Sequence, residues 1–154
     1  MKFSSILGPI WLDADETSLT QVSYSEIPET AEANQAILLQ AKDEIIAYLA
    51  GERIDFSVPI KFLSGTPFQQ AAWRELQAIP YGETRSYQEQ ATNIDRPKAV
   101  RSIGQANRNN PLAIIVPCHR VLGKNGQLTG YSGSGEKGLA IKAQLLNIEK
   151  SRES

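Results

Sequence analysis

The sequence contains almost none of the residues that bind structural metals or form cross-links, because its 154 residues include one Cys and one His. A structural zinc site needs four nitrogen or sulfur ligands, so we predict no zinc site and no other cofactor. One Cys excludes an intramolecular disulfide, and a lone thiol is typical of a reducing cytoplasm. The two scarce residues are neighbours, Cys118 and His119.

Long apolar runs are missing as well. The apolar stretch Ile6–Leu12 is short and lacks the basic region and the cleavage site of a signal peptide. No segment approaches the roughly 20 apolar residues that cross a bilayer. We therefore expect a cytoplasmic protein without a membrane partner, long enough to bury the core of one domain or of two small ones.

Charge is balanced overall, with 16 Lys and Arg against 17 Asp and Glu, but it is unevenly distributed. Residues 1–60 carry ten acids and three bases, a net charge of −7, whereas residues 61–154 carry seven acids and thirteen bases, a net charge of +6. A basic region in a near-neutral protein is typical of a face that contacts phosphates, although an ordinary solvated surface would look the same. The asymmetry predicts two parts, with a boundary near Asp55–Ser64.

The first part has the pattern of a small α/β domain. Two strands are predicted, Ser4–Leu12 and Leu19–Tyr24, and a helix follows over Asn34–Ala50 that Gly51 ends. In the second part, two capping boxes mark helix starts, Thr66 with Gln69 and Ser86 with Glu89.

A basic helix is predicted from Pro97 to about Asn107, after a three-to-four-residue turn that follows the short helix begun at Ser86. Two short helices joined in this way describe a helix-turn-helix. On the second helix Lys98, Arg101, Gln105 and Arg108 share one face, beside a stripe of small residues, Ala99, Ser102 and Ala106. This combination favours DNA binding, and close packing against another helix is the alternative.

An apolar strand over Leu112–Val116 is predicted to lead into Cys118. Six of the eleven glycines fall between Gly123 and Gly138, so that segment is predicted to be a loop whose backbone approaches another group closely. A final helix is predicted over Leu139–Glu149.

Cys118 has two possible readings when it is taken by itself. A lone Cys in a cytosolic chain is commonly a small buried hydrophobe, and adjacency to His119 does not place both side chains on one side of a strand. A reactive thiol would need the chain to turn there and a third group to orient the His, for which Glu149 is the candidate.

The segment around Cys118 resembles the PCHRV active-site signature of the O6-alkylguanine-DNA alkyltransferases, which is matched by residues 117–121. Four further segments resemble motifs of that family and follow in the same order. They are Gly65-Thr66-Pro67-Phe68-Gln69 with Trp73; Ile79-Pro80-Tyr81-Gly82-Glu83-Thr84; Arg101 with Ala106-Asn107 and Asn110-Pro111; and Tyr131-Ser132-Gly133 with Leu145-Leu146 and Glu149. The resemblance is close over about residues 63–149 and loose over residues 1–60. These motifs in register favour the nucleophile over the inert thiol.

The resemblance implies roles for the residues that match these motifs. Cys118 would be the nucleophile and alkyl acceptor, and His119, held by Glu149, would take the thiol proton through a water. Asn110 would hold the segment that carries the cysteine. Tyr87 would press on the phosphate beside the target nucleotide and give a proton to the departing guanine.

For DNA, the resemblance implies that Arg101 enters the duplex from the minor groove and fills the gap left by a flipped base. Further DNA contacts are expected from Thr66, Gln69, Lys98, Ala99 and Arg108. The guanine pocket would be lined by Tyr131, Ser132 and Val121, with the backbone of Cys118.

The function implied is DNA repair by direct damage reversal. A single-turnover methylated-DNA–protein-cysteine S-methyltransferase would move the alkyl group of O6-alkylguanine irreversibly to Cys118 after flipping the lesion, with O4-alkylthymine open as a second substrate. The implied fold is a ribonuclease H-like α/β domain over residues 1–60, a mostly helical, winged-helix-like DNA-binding domain over 61–150, and a tail over 151–154. We expect a monomer that binds double-stranded DNA.

Two departures from the family pattern limit the transfer. The segment Gly133–Gly138 is longer than the usual Gly-Gly link, which leaves open how bulky an alkyl group fits. The ligands that hold zinc in the N-terminal domain of some relatives are missing.

Two other function classes compete with this reading. A lesion binder or helix-turn-helix regulator would use the same scaffold, but alkyltransferase-like binders replace the cysteine, which is present here. A thiol hydrolase with a Cys-His-Glu triad would leave the basic helix and Arg101 without a role.

Overall fold

The computed structural model describes residues 1–129 and 135–153, apart from the side chains of residues 135, 152 and 153. The chain divides into two compact units, one of Met1–Leu63 with Pro111–Ile115 and one of Ser64–Asn110 with Val116–Ser154. The first unit holds a small sheet and one helix, and the second is mostly helical. The predicted mixed α/β fold class is therefore confirmed.

The sheet of the first unit has three antiparallel strands in sequence order, β1 (Lys2–Ser5), β2 (Gly8–Ala14) and β3 (Leu19–Ser23). The prediction of one strand over Ser4–Leu12 is wrong, because the chain reverses between β1 and β2. Gly8 makes that turn with a φ of +98°, which side chains other than Gly rarely adopt. Its carbonyl accepts a hydrogen bond from the Ser5 hydroxyl at 2.7 Å.

The helix of the first unit, α1 (Gln35–Leu49), begins where its capping residue predicts. The Asn34 side chain accepts hydrogen bonds from the backbone N–H groups of Ala36 and Ile37, at 3.0 and 3.3 Å. Its buried face includes the predicted stripe, Leu38, Ala41, Ile45 and Leu49.

The predicted strand over Leu112–Val116 is also wrong. Leu112 makes only an isolated parallel bridge to Val22, and the chain then turns. The Ile115 N–H donates to the Ala113 carbonyl at 2.8 Å across Ile114, whose φ is +72°. This is a γ-turn of the rare positive-φ form, which is strained for a β-branched residue. The apolar run reflects burial of these residues and not an extended path.

The second unit contains α2 (Pro67–Gln77), α3 (Tyr87–Asn93), α4 (Val100–Arg108) and α5 (Gly135–Glu153), together with a short parallel pair, β4 (Arg85–Ser86) and β5 (Val121–Leu122). Both predicted capping boxes are confirmed, Thr66 with Gln69 before α2 and Ser86 with Glu89 before α3. Each box satisfies two backbone donors at a helix start that would otherwise lack a partner.

The basic helix begins later than predicted, at Val100 and not at Pro97. Residues 97–98 form a turn, closed by the Ala99 N–H donating to the Arg96 carbonyl at 2.9 Å. The connection from α3 to α4 is therefore residues 94–99, longer than the predicted turn. Lys98 and Ala99 lie in this connection and not on the helix.

Small and polar side chains hold α2, α3 and α4 together. Their buried cluster consists of Ala72, Ala91, Ile103 and Ala106. Beside it, the buried amides of Gln90 and Asn107 exchange two hydrogen bonds, at 2.9 and 2.8 Å. Ala106 thus serves helix packing, as the alternative reading of the small-residue stripe holds, whereas Arg101, Gln105 and Arg108 are exposed.

Candidate active site

Cys118 lies at the start of a single 3₁₀ turn, Cys118–Arg120. The turn is prepared by Pro117, whose φ of −82° and ψ of 64° form an inverse γ-turn, with the Cys118 N–H donating to the Val116 carbonyl at 2.8 Å. The chain therefore turns at Cys118, as a reactive thiol needs, and strand alternation does not separate the side chains of Cys118 and His119.

Asn110 fixes the cysteine from two directions. Its side-chain N–H group donates to the Val116 carbonyl at 2.8 Å and lies 3.4 Å from the Cys118 sulfur. An amide donor at this distance favours a thiolate over a thiol. Asn110 thus joins the backbone before the turn to the reactive atom, as the resemblance implies.

Burial nevertheless raises the pKa of the Cys118 thiol to about 11. The hydrogen bond from Asn110 and the charge of Lys142 act in the opposite direction and are outweighed. The thiol is therefore protonated at neutral pH, and an activating base has to act during the reaction.

The carboxylate of Glu149, on α5, is the centre of a buried polar network. Its Oε2 lies 2.8 Å from His119 Nε2, and its Oε1 accepts from the Gly82 N–H at 3.1 Å. Arg120 donates to the same carboxylate from Nε and Nη2, each at 2.9 Å. The carboxylate is thus held by three residues from two segments of the chain.

This network fixes the protonation of His119. Burial lowers the pKa of the imidazole, although Glu149 raises it, so the ring is neutral at pH 7. A carboxylate only accepts hydrogen bonds, so the Nε2 atom that faces Glu149 carries the hydrogen. The lone pair is then on Nδ1, which is the atom able to take up a proton.

Arg120 was not predicted as a site residue from the sequence. Its guanidinium is buried, donates to the Ile79 carbonyl at 2.7 Å and lies 5.6 Å from the ring centre of Tyr81. A permanently charged residue within the PCHRV segment was the available signal, because a buried Arg needs an anionic partner.

A second polar group surrounds Tyr87, the first residue of α3. The Thr129 hydroxyl donates to the Tyr87 hydroxyl oxygen at 3.0 Å, and the Lys142 ammonium lies 5.7 Å from the Tyr87 ring centre. Lys142 is fully buried and donates to the Thr129 carbonyl at 2.7 Å. Neither Thr129 nor Lys142 was predicted from the sequence.

Tyr87 also lines a cavity of about 250 Å³ in this unit. The other lining residues are Val100, Arg101, Gly104, Gln105, Arg108 and Thr129. Two guanidinium groups on one wall make the cavity electropositive, which suits a phosphate.

Comparison with known families decides where the chain belongs. Residues 67–151 match the family model of the 6-O-methylguanine DNA methyltransferase DNA-binding domain, and residues 2–62 match that of the ribonuclease-like domain. The chain belongs to the 6-O-methylguanine DNA methyltransferase family. The resemblance drawn from the motifs is confirmed.

Relatives cover nearly the whole chain. The methylated-DNA–protein-cysteine methyltransferase of Mycobacterium bovis is 54% identical over 96% of this chain and 90% of its own length. The one of Methanosarcina acetivorans is 46% identical over 97% and 96%. The crystal structure of Mycobacterium tuberculosis OGT in complex with DNA is similar with a TM-score of 0.86 and 43% identity, covering 98% of this chain and 92% of that one.

The remaining predicted site residues lie in several different parts of the structure. Val121 is buried in β5, and Lys98 is exposed before α4. The side chains of Thr66 and Gln69 cap α2, with hydrogen bonds of 3.1 and 2.9 Å to each other's backbone N–H groups. Tyr131 and Ser132, expected in the guanine pocket, lie outside the described residues.

Two further findings concern residues 1–129 and 135–153. Within these ranges, no three His, Cys, Asp or Glu side chains come together in a way that could hold a metal ion. The helices of the same ranges are too short or too polar to span a bilayer.

Proposed function

We propose that this protein repairs alkylated DNA by taking the alkyl group of O6-alkylguanine onto Cys118, once and irreversibly. Family membership and the names of the relatives support alkyl transfer from DNA to a protein cysteine. The observation that carries the assignment to this residue is the chain's single cysteine, whose sulfur lies 3.4 Å from the Asn110 amide and which immediately precedes His119 of the His119–Glu149 pair.

The proposed chemistry begins with a displacement at the methyl carbon. The thiol proton passes to His119 through a water, the sulfur forms a bond to the methyl carbon, and the bond from that carbon to O6 breaks. Tyr87 gives its hydroxyl proton to the departing guanine. The imidazolium and the phenolate then return to neutrality by exchange with water, so the net reaction replaces the alkyl group on guanine by the thiol hydrogen.

The thioether product explains why we propose a single turnover. A thioether has no good leaving group, and the chain contains no second cysteine that could take over the methyl group. Glu149 contributes by holding the His119 tautomer and by stabilising the imidazolium that forms. Arg120 balances the charge of Glu149 in the resting site.

We propose that DNA binds through α3 and α4 as a helix-turn-helix, from the minor groove, with Arg101 taking the place of the flipped base. Support comes from the exposed Arg101 and Arg108 beside Tyr87 and from the DNA complex of the M. tuberculosis relative. Flipping costs a few kcal/mol, and a side chain stacked in the gap offsets part of this cost. Residues 1–60 would support the fold and residues 61–150 would carry the reaction of a cytoplasmic monomer. In place of the predicted tail over 151–154, α5 continues to Glu153.

Intact-mass measurement tests the proposal directly. The protein is incubated with a duplex that contains O6-methylguanine and, in parallel, with the unmodified duplex. We expect one added methyl group per protein with the modified duplex, mapped to Cys118 by peptide sequencing and missing in Cys118→Ala and Cys118→Ser. Lesion binding without a mass change would favour a damage-recognition protein, and repeated turnover on one protein molecule would favour a hydrolase. Either result would overturn the proposal.

A further inference from the structure

The proposed reaction requires Tyr87 to give up a proton, and two residues without an assigned role control the surroundings of that phenol. Thr129 contacts the phenolic oxygen and Lys142 contacts Thr129. Both lie outside the motifs that identified the family, and both belong to the same compact unit as Tyr87.

The direction of the first hydrogen bond is informative. The Thr129 hydroxyl donates to the Tyr87 oxygen at 3.0 Å, so the Tyr87 oxygen acts as the acceptor. A phenol has one hydrogen of its own, and that hydrogen is then not used on Thr129. The phenolic hydrogen therefore remains available to another group, and Tyr87 and Thr129 both line the cavity of about 250 Å³.

Lys142 holds Thr129 in place from the other side. Its ammonium group is fully buried and donates to the Thr129 carbonyl at 2.7 Å. Burial lowers the pKa of Lys142 to about 8, so the amine is still mostly charged at pH 7. A buried ammonium group is costly without a partner, and this bond therefore ties the backbone of Thr129 firmly to α5.

We infer that Thr129 is a positioning residue for Tyr87: its hydroxyl orients the phenol as an acceptor, leaves the phenolic hydrogen for the departing base, and stabilises the phenolate that results. The inference rests on the proposed function. A hydrogen bond to an oxygen that gains negative charge is stronger in the transition state than in the resting protein, and such a bond accelerates the chemical step.

The charges around Tyr87 show why this bond matters. Burial raises the pKa of Tyr87, and a thiolate at Cys118 would raise it further. The hydrogen bond from Thr129 and the charge of Arg108 lower it, and the ammonium of Lys142 faces the ring. Thr129 therefore counteracts a site that otherwise makes the phenol a weaker acid.

Three variants separate this role from a structural one. Thr129→Val keeps the shape and removes the donor, and Thr129→Ser keeps the donor. Thr17→Val is the matched control: it removes an exposed threonine hydroxyl that donates to Asp15 at 3.3 Å, between β2 and β3 in the unit that does not contain α3 and α4. The rate of methyl transfer from an O6-methylguanine duplex is measured in single-turnover experiments at increasing protein concentration. Thermal unfolding confirms that each variant is folded.

We expect Thr129→Val to lower the saturating rate roughly 10- to 100-fold, the range for losing one hydrogen bond to a charged group, while the half-saturating concentration is unchanged. Thr129→Ser should restore most of the rate, and Thr17→Val should match the wild type. A Thr129→Val variant with the wild-type rate would overturn the inference. So would a loss that appears only in the half-saturating concentration.

The ionisation of Tyr87 gives a readout that does not depend on transfer. Tyrosines are replaced biosynthetically by 3-fluorotyrosine, whose phenol is more acidic, and the ¹⁹F signal that disappears in Tyr87→Phe is followed against pH. We expect the pKa at this position to be higher in Thr129→Val than in the wild type and to return in Thr129→Ser. An unchanged titration would overturn the inference, whereas a wild type that transfers no methyl group would overturn the proposed function.

Discussion

Replacing Glu149 by Gln perturbs the buried network at its centre without changing its volume. Glu149 and Arg120 are 1% and 7% exposed, and three hydrogen bonds shorter than 3.3 Å join them. Gln has one acceptor oxygen where Glu has two, so the guanidinium loses its counter-charge and one amide hydrogen faces other donors. Breaking a buried ion pair by removing one partner costs about 3–5 kcal/mol, and we expect Glu149→Gln to lose this much free energy of unfolding.

Urea unfolding measures this loss within the unit that holds the site. Trp73 lies on α2 in that unit and Trp11 on β2 in the other, so a Trp11→Phe background isolates the fluorescence of Trp73. With a urea dependence of about 2 kcal/mol per molar, the midpoint should fall by roughly 1.5–2.5 M. Methyl transfer should slow in the same variant, because His119 loses the carboxylate that stabilises its charged form.

Two controls decide whether charge burial is the cause. Glu83 pairs with Arg85 at 3.3 Å with its side chain 54% exposed, so Glu83→Gln should cost no more than about 1 kcal/mol. In Glu149→Gln/Arg120→Met no buried charge is left unpaired, so the double variant should be more stable than the sum of the single losses by up to about 3 kcal/mol. The reasoning fails if Glu149→Gln costs as little as Glu83→Gln, or if the two single losses simply add.

Three other predictions concern DNA, pH and packing. Arg101→Ala should slow repair of a lesion in duplex DNA at least roughly tenfold more than reaction with free O6-methylguanine base, and equal losses on both substrates would contradict the gap-filling role. The pKa of Cys118 is raised to about 11 in the folded chain, so the thiol of the unfolded chain loses its proton first as the pH rises. The free energy of unfolding should therefore fall by roughly 2–3 kcal/mol between about pH 9 and pH 11 in the wild type but not in Cys118→Ser. Unfolding free energies that follow the same pH profile in both proteins would refute this. In Gly65→Ala the new methyl group would lie 2.6 Å from Trp73 Cζ3 at a φ of +111°, so thermal unfolding should show a loss of about 1–3 kcal/mol, whereas Gly104→Ala, where nothing lies within 4 Å, should be neutral or stabilising.

Helix starts were the most predictable part of the fold, because capping is decided within four residues. Two pairs of side chains mark the starts of α2 and α3, because each side chain hydrogen-bonds to the backbone of the same turn. The pairs are Thr66 with Gln69 and Ser86 with Glu89. The start of α4 was predicted too early because Pro97 suits a turn as well as a first helical position. The N-cap residue, Ala99, has no side chain that could cap the helix and mark its start.

Apolar runs were less informative about the path of the chain. Ile114 and Val116 are β-branched and buried, which predicts a strand, yet the chain makes a γ-turn there. The segment Ser4–Leu12 was predicted as one strand for the same reason, although the chain reverses at Gly8. Hydrophobicity indicates which side chains are buried but not the direction of the backbone.

Residues of the candidate site were predictable where they belong to a sequence motif. They were not predictable where their role depends on a partner that is distant in the sequence. Glu149 meets Gly82 across 67 residues and His119 across 30. No local pattern links Arg120 to Glu149 or Thr129 to Tyr87, because those partners are chosen by tertiary packing. The sequence offered Glu149 as a candidate and the resemblance assigned its role, whereas only the fold showed the groups that hold it.

The raised pKa of Cys118 has a consequence for the lifetime of the unused protein. At pH 7 an ordinary thiol is roughly 3% thiolate, whereas a pKa of about 11 leaves roughly one molecule in ten thousand ionised. Peroxides and disulfides react with the thiolate, so the folded chain is far less open to sulfenic acid formation or glutathionylation than an unfolded one. In the single-use reaction that we propose for Cys118, this keeps the cysteine reduced until a lesion arrives.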